Sequence, residues 1–177
     1  TENAIALTGG HSNTLVGFSA GEDIVNGDRN TCIGALAGMD ITNTGDVTYV
    51  GHEAGKLTTG GNNTGIGSGA LAGAGSSNAT AVGFDALKAS TNASCVAVGY
   101  RAGQVHTSGS SSTYIGADAT TSVATQDSQT AIGSGASSAG TNSTAIGASA
   151  TCSAVNQIMM GNHRSVDMTM DCPPTTI

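Results

Sequence analysis

Tryptophan is absent from this 177-residue chain, Phe and Tyr supply only 3% of it, and charged residues supply 10%. So few aromatics argue against an ordinary globular core. With a formal net charge of -7 and five Lys and Arg in all, the chain has no basic stripe to neutralise a nucleic-acid backbone or an anionic membrane surface. No apolar run reaches the roughly 18 residues needed to span a bilayer, and the start at Thr1 has neither a charged n-region nor an apolar h-region. Neither a nucleic-acid partner nor membrane insertion is expected, and the chain reads as a mature product or a piece of something longer.

Metal and catalytic patterns are equally sparse. Cys32, Cys95, Cys152 and Cys172 form no CxxC pair and have no His at zinc spacing. His11, His52, His106 and His163 lack an acid and a nucleophile at matching positions, and are expected to be exposed turn or surface residues. The glycine-rich segments contain no phosphate-binding P-loop. Glu22, Asp23, Asn26, Asp28 and Asn30 bring oxygen ligands into one stretch, but their spacing fits no EF-hand; a solvated acidic turn is the preferred reading over calcium. No enzyme, cofactor or metal is expected.

What the chain has in abundance is glycine, 27 residues of it, together with Ala, Ser, Thr and Asn. Without a period this composition would read as disorder. A period is present: Gly17, Gly34, Gly51, Gly67, Gly83, Gly99, Gly116, Gly133 and Gly147 recur every 14 to 17 residues. Just before each glycine stands Val or Ile, and three before it stands Thr, with Val96 the one exception. Such β-branched columns two residues apart predict one face of a short strand. That face is expected to point inward and fill the interior, with the small, variable middle column (Leu15, Cys32, Tyr49, Gly65 and their equivalents) on the opposite face.

Three residues after each glycine, all nine units carry alanine, from Ala20 to Ala150, which predicts a place where coils or subunits approach closely. Each unit then reads as a strand ending in a glycine corner, a second short segment through the alanine, and a polar return. That makes one rung of a solenoid. Ile5-Ala6-Leu7-Thr8 and Ile158-Met159-Met160-Gly161 read as degenerate terminal rungs. Residues 1–161 form the repeat domain, and residues 162–177 a final strand (Val166, Met168, Met170) leading to a linker at Cys172-Pro173-Pro174. Cys32 and Cys95 lie four rungs apart, roughly 19 Å at about 4.8 Å per rung, so only Cys152 with Cys172 is left as an intrachain disulfide candidate.

The stretch from Gln129 to Ala150, with its Thr-Ala-Ile-Gly units, resembles the head repeats of YadA-like trimeric autotransporter adhesins. The longer units, such as Thr80-Ala-Val-Gly-Phe-Asp-Ala-Leu, look more like the fibre repeats of phages and large algal viruses, and Asn156–Asn162 resembles their terminal rung. The resemblance implies an all-β fold, a left-handed parallel β-roll of ten to eleven rungs, packed side by side as a homotrimer. It also implies an extracellular or virion-surface fibre that attaches to a host glycan or protein receptor. An autotransporter head fragment is the alternative within that class.

Specificity is expected in the columns that vary. Phe18, His52, Phe84 and Tyr100 follow their glycines where other units carry Ala or Ser, and Phe84 and Tyr100 fall in adjacent rungs, where they can stack into an exposed ladder. Sealing a seam between subunits is the competing role. The sequons at Asn62, Asn78, Asn92 and Asn142 matter only in a glycosylating host. Two other functions compete. An ice- or crystal-surface binder would present the threonines outward in a flat array, and outward threonines would put that reading ahead. A polysaccharide depolymerase would need paired carboxylates, whereas those here are scattered.

Overall fold

The computed structural model describes residues 9–73, 75–91 and 94–162. The degenerate first rung, the terminal strand, the linker, Asn92, His163 and Cys172 lie outside them. The chain is an all-β parallel solenoid of about nine turns, with no helix among the described residues. Its spine is a ten-stranded sheet made of the triplets that end just before each glycine: β1 (Thr14–Val16), β2 (Thr31–Ile33), β3 (Thr48–Val50), β4 (Thr64–Ile66), β5 (Thr80–Val82), β6 (Val96–Val98), β7 (Thr113–Ile115), β8 (Thr130–Ile132), β10 (Thr144–Ile146) and β12 (Ile158–Met160). Every pair is parallel and in register, so that Thr14 meets Thr31, Thr31 meets Thr48, and so on to Thr144 against Ile158. The last rung expected at 158–161 is therefore a true rung.

Three-residue strands of this kind have no stability alone, and stacking supplies it. Gly34 N–H donates to the Val16 carbonyl at 2.7 Å, and Thr31 N–H donates up to the Val47 carbonyl at 2.9 Å. The same two bonds recur along the rod, leaving few backbone groups to water. A second ladder runs through the alanine column: the residue after each alanine donates to the alanine carbonyl of the next rung, from Gly21 to Ala37 (2.9 Å) through Ser137 to Ala150 (2.8 Å). The expected second strand forms in the two 14-residue rungs and reaches the 17-residue unit before them by a single bridge. There β9 (Ser137–Ser138) pairs with β11 (Thr151–Cys152), and Thr120 bridges to Ser137. In the 16- and 17-residue units this side is built from stacked turns, because the extra residues must be taken up by left-handed corners such as Gly38, Gly55 and Leu87.

The expected sidedness of the sheet is reversed. The middle residue of each triplet faces the interior: Cys32, Tyr49, Ala81, Ala97, Tyr114, Ala131 and Ala145 are fully buried. The Thr and Val/Ile columns face out. The invariant alanines are fully buried within the single chain, so they set how closely one side of the roll approaches the other, not how closely subunits approach. The physical reason is width. With alanine opposite it, the interior admits small side chains in the middle column, and the β-branched columns fit only outside. Where a large ring does enter, glycine gives way to it: a Cβ on Gly65 would stand 3.0 Å from Tyr49 Cδ1, and one on Gly55 would overlap the same ring.

The corner glycines match their expected role. Gly99 has φ of 138°, and a Cβ there would lie 2.5 Å from the Gly116 carbonyl oxygen. Gly99→Ala is therefore expected to destabilise the rod by about 3 kcal/mol or more. Gly135→Ala, with φ of 64° and only the Ser149 hydroxyl near, should cost about 1 kcal/mol. Chemical denaturation of the two variants tests this contrast, and equal losses would contradict it.

Candidate functional site

The sheet exposes an in-register ladder of alternating columns. The Val/Ile column is exposed at seven of its ten rungs, from Val16 at 55% through Ile33, Ile66, Val98, Ile115 and Ile146 to Met160, and half-buried at Val50, Val82 and Ile132. Beside it the threonines are half-buried by their neighbours, and Thr14 at the first rung is exposed. Ten rungs at about 4.8 Å give an aliphatic stripe about 40 Å long, on a chain with little else to bury. Isolated exposed apolar residues need no explanation, but a contiguous stripe does.

The four residues expected to carry specificity are all exposed in the column that follows the glycines. Phe84 and Tyr100 stack, with ring centroids 5.5 Å apart and planes 13° from parallel. The guanidinium of Arg101 sits 5.8 Å from the Tyr100 ring centroid, and its Nε donates to Gln104 Oε1 at 2.7 Å. His52 lies two rungs below Phe84, with Ser68 between. Phe18 stands apart, its next neighbour in the column being Ala35. The structure thus joins Phe84 with Tyr100 and leaves Phe18 alone.

The five oxygen-bearing residues of the acidic stretch do not converge. Asn30 is buried and its side chain spans rungs, donating to the Thr44 carbonyl and accepting from Val47 N–H, while Asp28 accepts from His11 N–H at 2.7 Å. No group of three potential metal ligands occurs among the described residues. The sequon asparagines Asn62, Asn78 and Asn142 are exposed at left-handed corners, and their amides form ladders, Asn62 to Asn78 at 3.1 Å and Asn142 to Asn156 at 2.8 Å. No helix among the described residues is long and apolar enough to cross a membrane.

Sequence reasoning missed a buried polar column four residues before the glycines. Asn13, Asn30 and Asn63 each accept a backbone N–H from the next rung, and Asn63 also donates to the carbonyls of Gly60 and Ser76. Higher up, Tyr114 Oη donates to Gln129 Oε1 at 2.7 Å, and Gln129 Nε2 donates to the Ser138 carbonyl. Pairing of this kind is what allows polar groups into so thin a core.

His106 departs from its expected place at the surface. It is fully buried, tilted against the Tyr114 ring, and neither ring nitrogen has a hydrogen-bond partner. Its position was legible: seven residues after the glycine, it shares a column with buried Ile24 and Ile41. His11 and His52 are exposed as expected. The thiols of Cys32, Cys95 and Cys152 are buried and form no disulfide among the described residues; burial pushes Cys32 up to about 12 and the other two up as well, and the candidate pair Cys152–Cys172 lies partly outside those residues. These are unreactive core thiols. No protein-family profile matches the chain, and no curated protein matches it with significance.

Burial lowers the His106 pKa below its ordinary 6.5, against a smaller opposing pull from the Gln126 backbone and Asp127. The unfolded chain therefore takes up the proton first as the pH falls. The contribution of the neutral ring is complete above about pH 6.5, declines below it, and is lost as the pH passes through the folded value. Melting temperature should fall between pH 7.5 and 5.5, and His106→Ile, which installs the residue found at this position in two other rungs, should flatten that slope. Thiol labelling at pH 8 should reach Cys32, Cys95 and Cys152 only after denaturation, as read by mass spectrometry of the alkylated peptides; native labelling of Cys32 would contradict its burial.

Proposed function

We propose that the chain is a subunit of a trimeric adhesive fibre: a left-handed roll of ten to eleven rungs that packs with two copies of itself and projects from a virion or cell surface. The observation that carries this reading is the largely exposed aliphatic stripe on the outer face of the sheet. Three chains related by a threefold axis would bury their Val/Ile columns against one another, giving the assembly the thick core that each chain lacks. The interface is therefore the strand face and not the alanine column, which each chain buries by itself. The resemblance of residues 129–150 to YadA-like head repeats supports the reading. So does the two-stranded form of the 14-residue rungs, the length characteristic of those heads. The turn side, with Phe84 and Tyr100, is left free in such a trimer to meet a glycan or protein receptor, and three copies would multiply a weak contact.

One observation favours a second reading. The threonines do lie on the outer face and in register, as an ice- or crystal-surface binder requires, but apart from Thr14 they are half-buried and do not form the open array that would put that reading ahead. The aliphatic column keeps the fibre first, because it is the more exposed of the two and gains most from a protein partner.

Oligomeric state decides between them. Light scattering after size exclusion should give three times the chain mass, and Ile115→Lys at the centre of the stripe should release folded monomer with the β signal retained. A stable wild-type monomer that produces thermal hysteresis would replace the fibre with the lattice binder.

A further inference from the structure

Successive rungs of the rod differ in how much they project, and one is nearly bare. The rung that follows β4 carries Ser68, Gly69, Ala72 and Gly73 at its outward positions, whereas the rungs on either side carry Glu53, Lys56 and Leu57, and Lys88 with the buried Asp85 beneath it. Two projecting rungs with a bare one between them stand about 9.6 Å apart, at about 4.8 Å per rung. The result is a transverse notch of about 330 Å³, bounded by Glu53, Lys56, Leu57, Ala72, Gly73 and Lys88. That volume is at the lower end of the range for small-molecule sites. Gly69 is part of the construction, since a Cβ there would collide with the Asp85 carboxylate.

The walls are held by ion pairs. Lys56 Nζ donates to Glu53 Oε1 at 2.9 Å, and Lys88 Nζ lies 3.0 Å from Asp85 Oδ1. Gln104 Nε2 makes a further bond to Asp85 at 3.4 Å. Side-chain exposures of 29% for Lys56, 34% for Glu53 and 47% for Lys88 leave all three within reach of a ligand, whereas Asp85, at 10%, serves to fix Lys88.

We propose that this notch binds one pyranose unit of a neutral saccharide. Three features select that chemistry. The walls offer both donors and an acceptor, which suits hydroxyl groups, since each of them both donates and accepts. Two cations against two anions leave no net charge to attract an ion, and the net charge of -7 on the chain disfavours anions further. Leu57, 43% exposed, and Ala72 supply an apolar patch for the C–H face of a sugar ring. The site lies on the turn side, away from the aliphatic stripe, so trimer formation leaves it open in three copies per fibre. The proposal rests on the adhesive reading above and names the class of receptor.

The test is a titration of the wild-type protein, in its native oligomeric state, with methyl glycosides of glucose, galactose, mannose and N-acetylglucosamine, and with glucuronate as the anionic comparison, followed by ligand-detected NMR. At least one neutral glycoside should bind in the millimolar range, and at least tenfold more tightly than glucuronate. Ala72→Leu fills the notch from an outward position and should weaken binding at least tenfold, and Lys88→Ala should weaken it as well. Circular dichroism and light scattering check that both variants keep the fold and oligomeric state. Absence of binding by all four glycosides, binding unchanged in folded Ala72→Leu, or equal binding of glucuronate would overturn the proposal. A trimer that fails these titrations leaves the fibre reading standing, whereas a monomer that binds the glycoside in the notch removes the trimer and keeps the site.

Discussion

The rod depends on the close approach of one rung's backbone to the next at the corner. A Cβ on Gly17, Gly34 or Gly99 would sit 2.5 Å from the carbonyl oxygen of the following rung's glycine, and the φ angles there, near 135°, belong to glycine alone. This constraint fixes the register of the whole sheet, because each strand ends at the same corner. A slip of one residue would put a β-branched side chain where only hydrogen fits, and would also turn every buried middle residue outward.

From the closeness of the rungs follows the thinness of the interior. The interior holds the alanine methyls, a handful of aliphatic side chains (Ile24, Ile41, Val47, Leu71 and Leu87), two tyrosines accommodated by neighbouring glycines, and polar residues most of whose bonds stay inside the chain. A core this slight gains little from the hydrophobic effect. Stability instead comes from the two backbone ladders, repeated at each rung, and from asparagine and glutamine side chains that cap backbone groups left over at the corners. His106 is the weak point in that scheme, a buried ring whose nitrogens have no partner.

The same geometry separates scaffold from surface. Of the residues that recur most strictly, the alanines are buried, and the glycines are half-buried and carry no side chain with which to meet a receptor. The Val/Ile column recurs almost as strictly yet is exposed at most rungs, which is why we propose it for contact between chains. The variable positions lie on the turn side, where a bare rung between two charged ones makes a notch and two adjacent aromatic residues stack. Along a rod with a fixed spacing of about 4.8 Å, a change of one side chain alters the surface without disturbing the rungs around it.

The sequence by itself determined the repeat, the strands and their register, the glycine corners and the stacking of Phe84 on Tyr100, because each follows from a period that counts along the chain. It did not determine which face of the strand is inside. Thr-x-Val/Ile alternation defines two faces equally well whichever points inward, and hydrophobicity favours the wrong choice here. The tertiary structure decided it through the width of the interior, which the alanine opposite each strand sets and no single unit reveals. The place of His106 within the roll was legible in the column it shares with Ile24 and Ile41, but that a rung of small residues becomes a notch was decided by the tertiary structure alone, because depth depends on the rungs at either side.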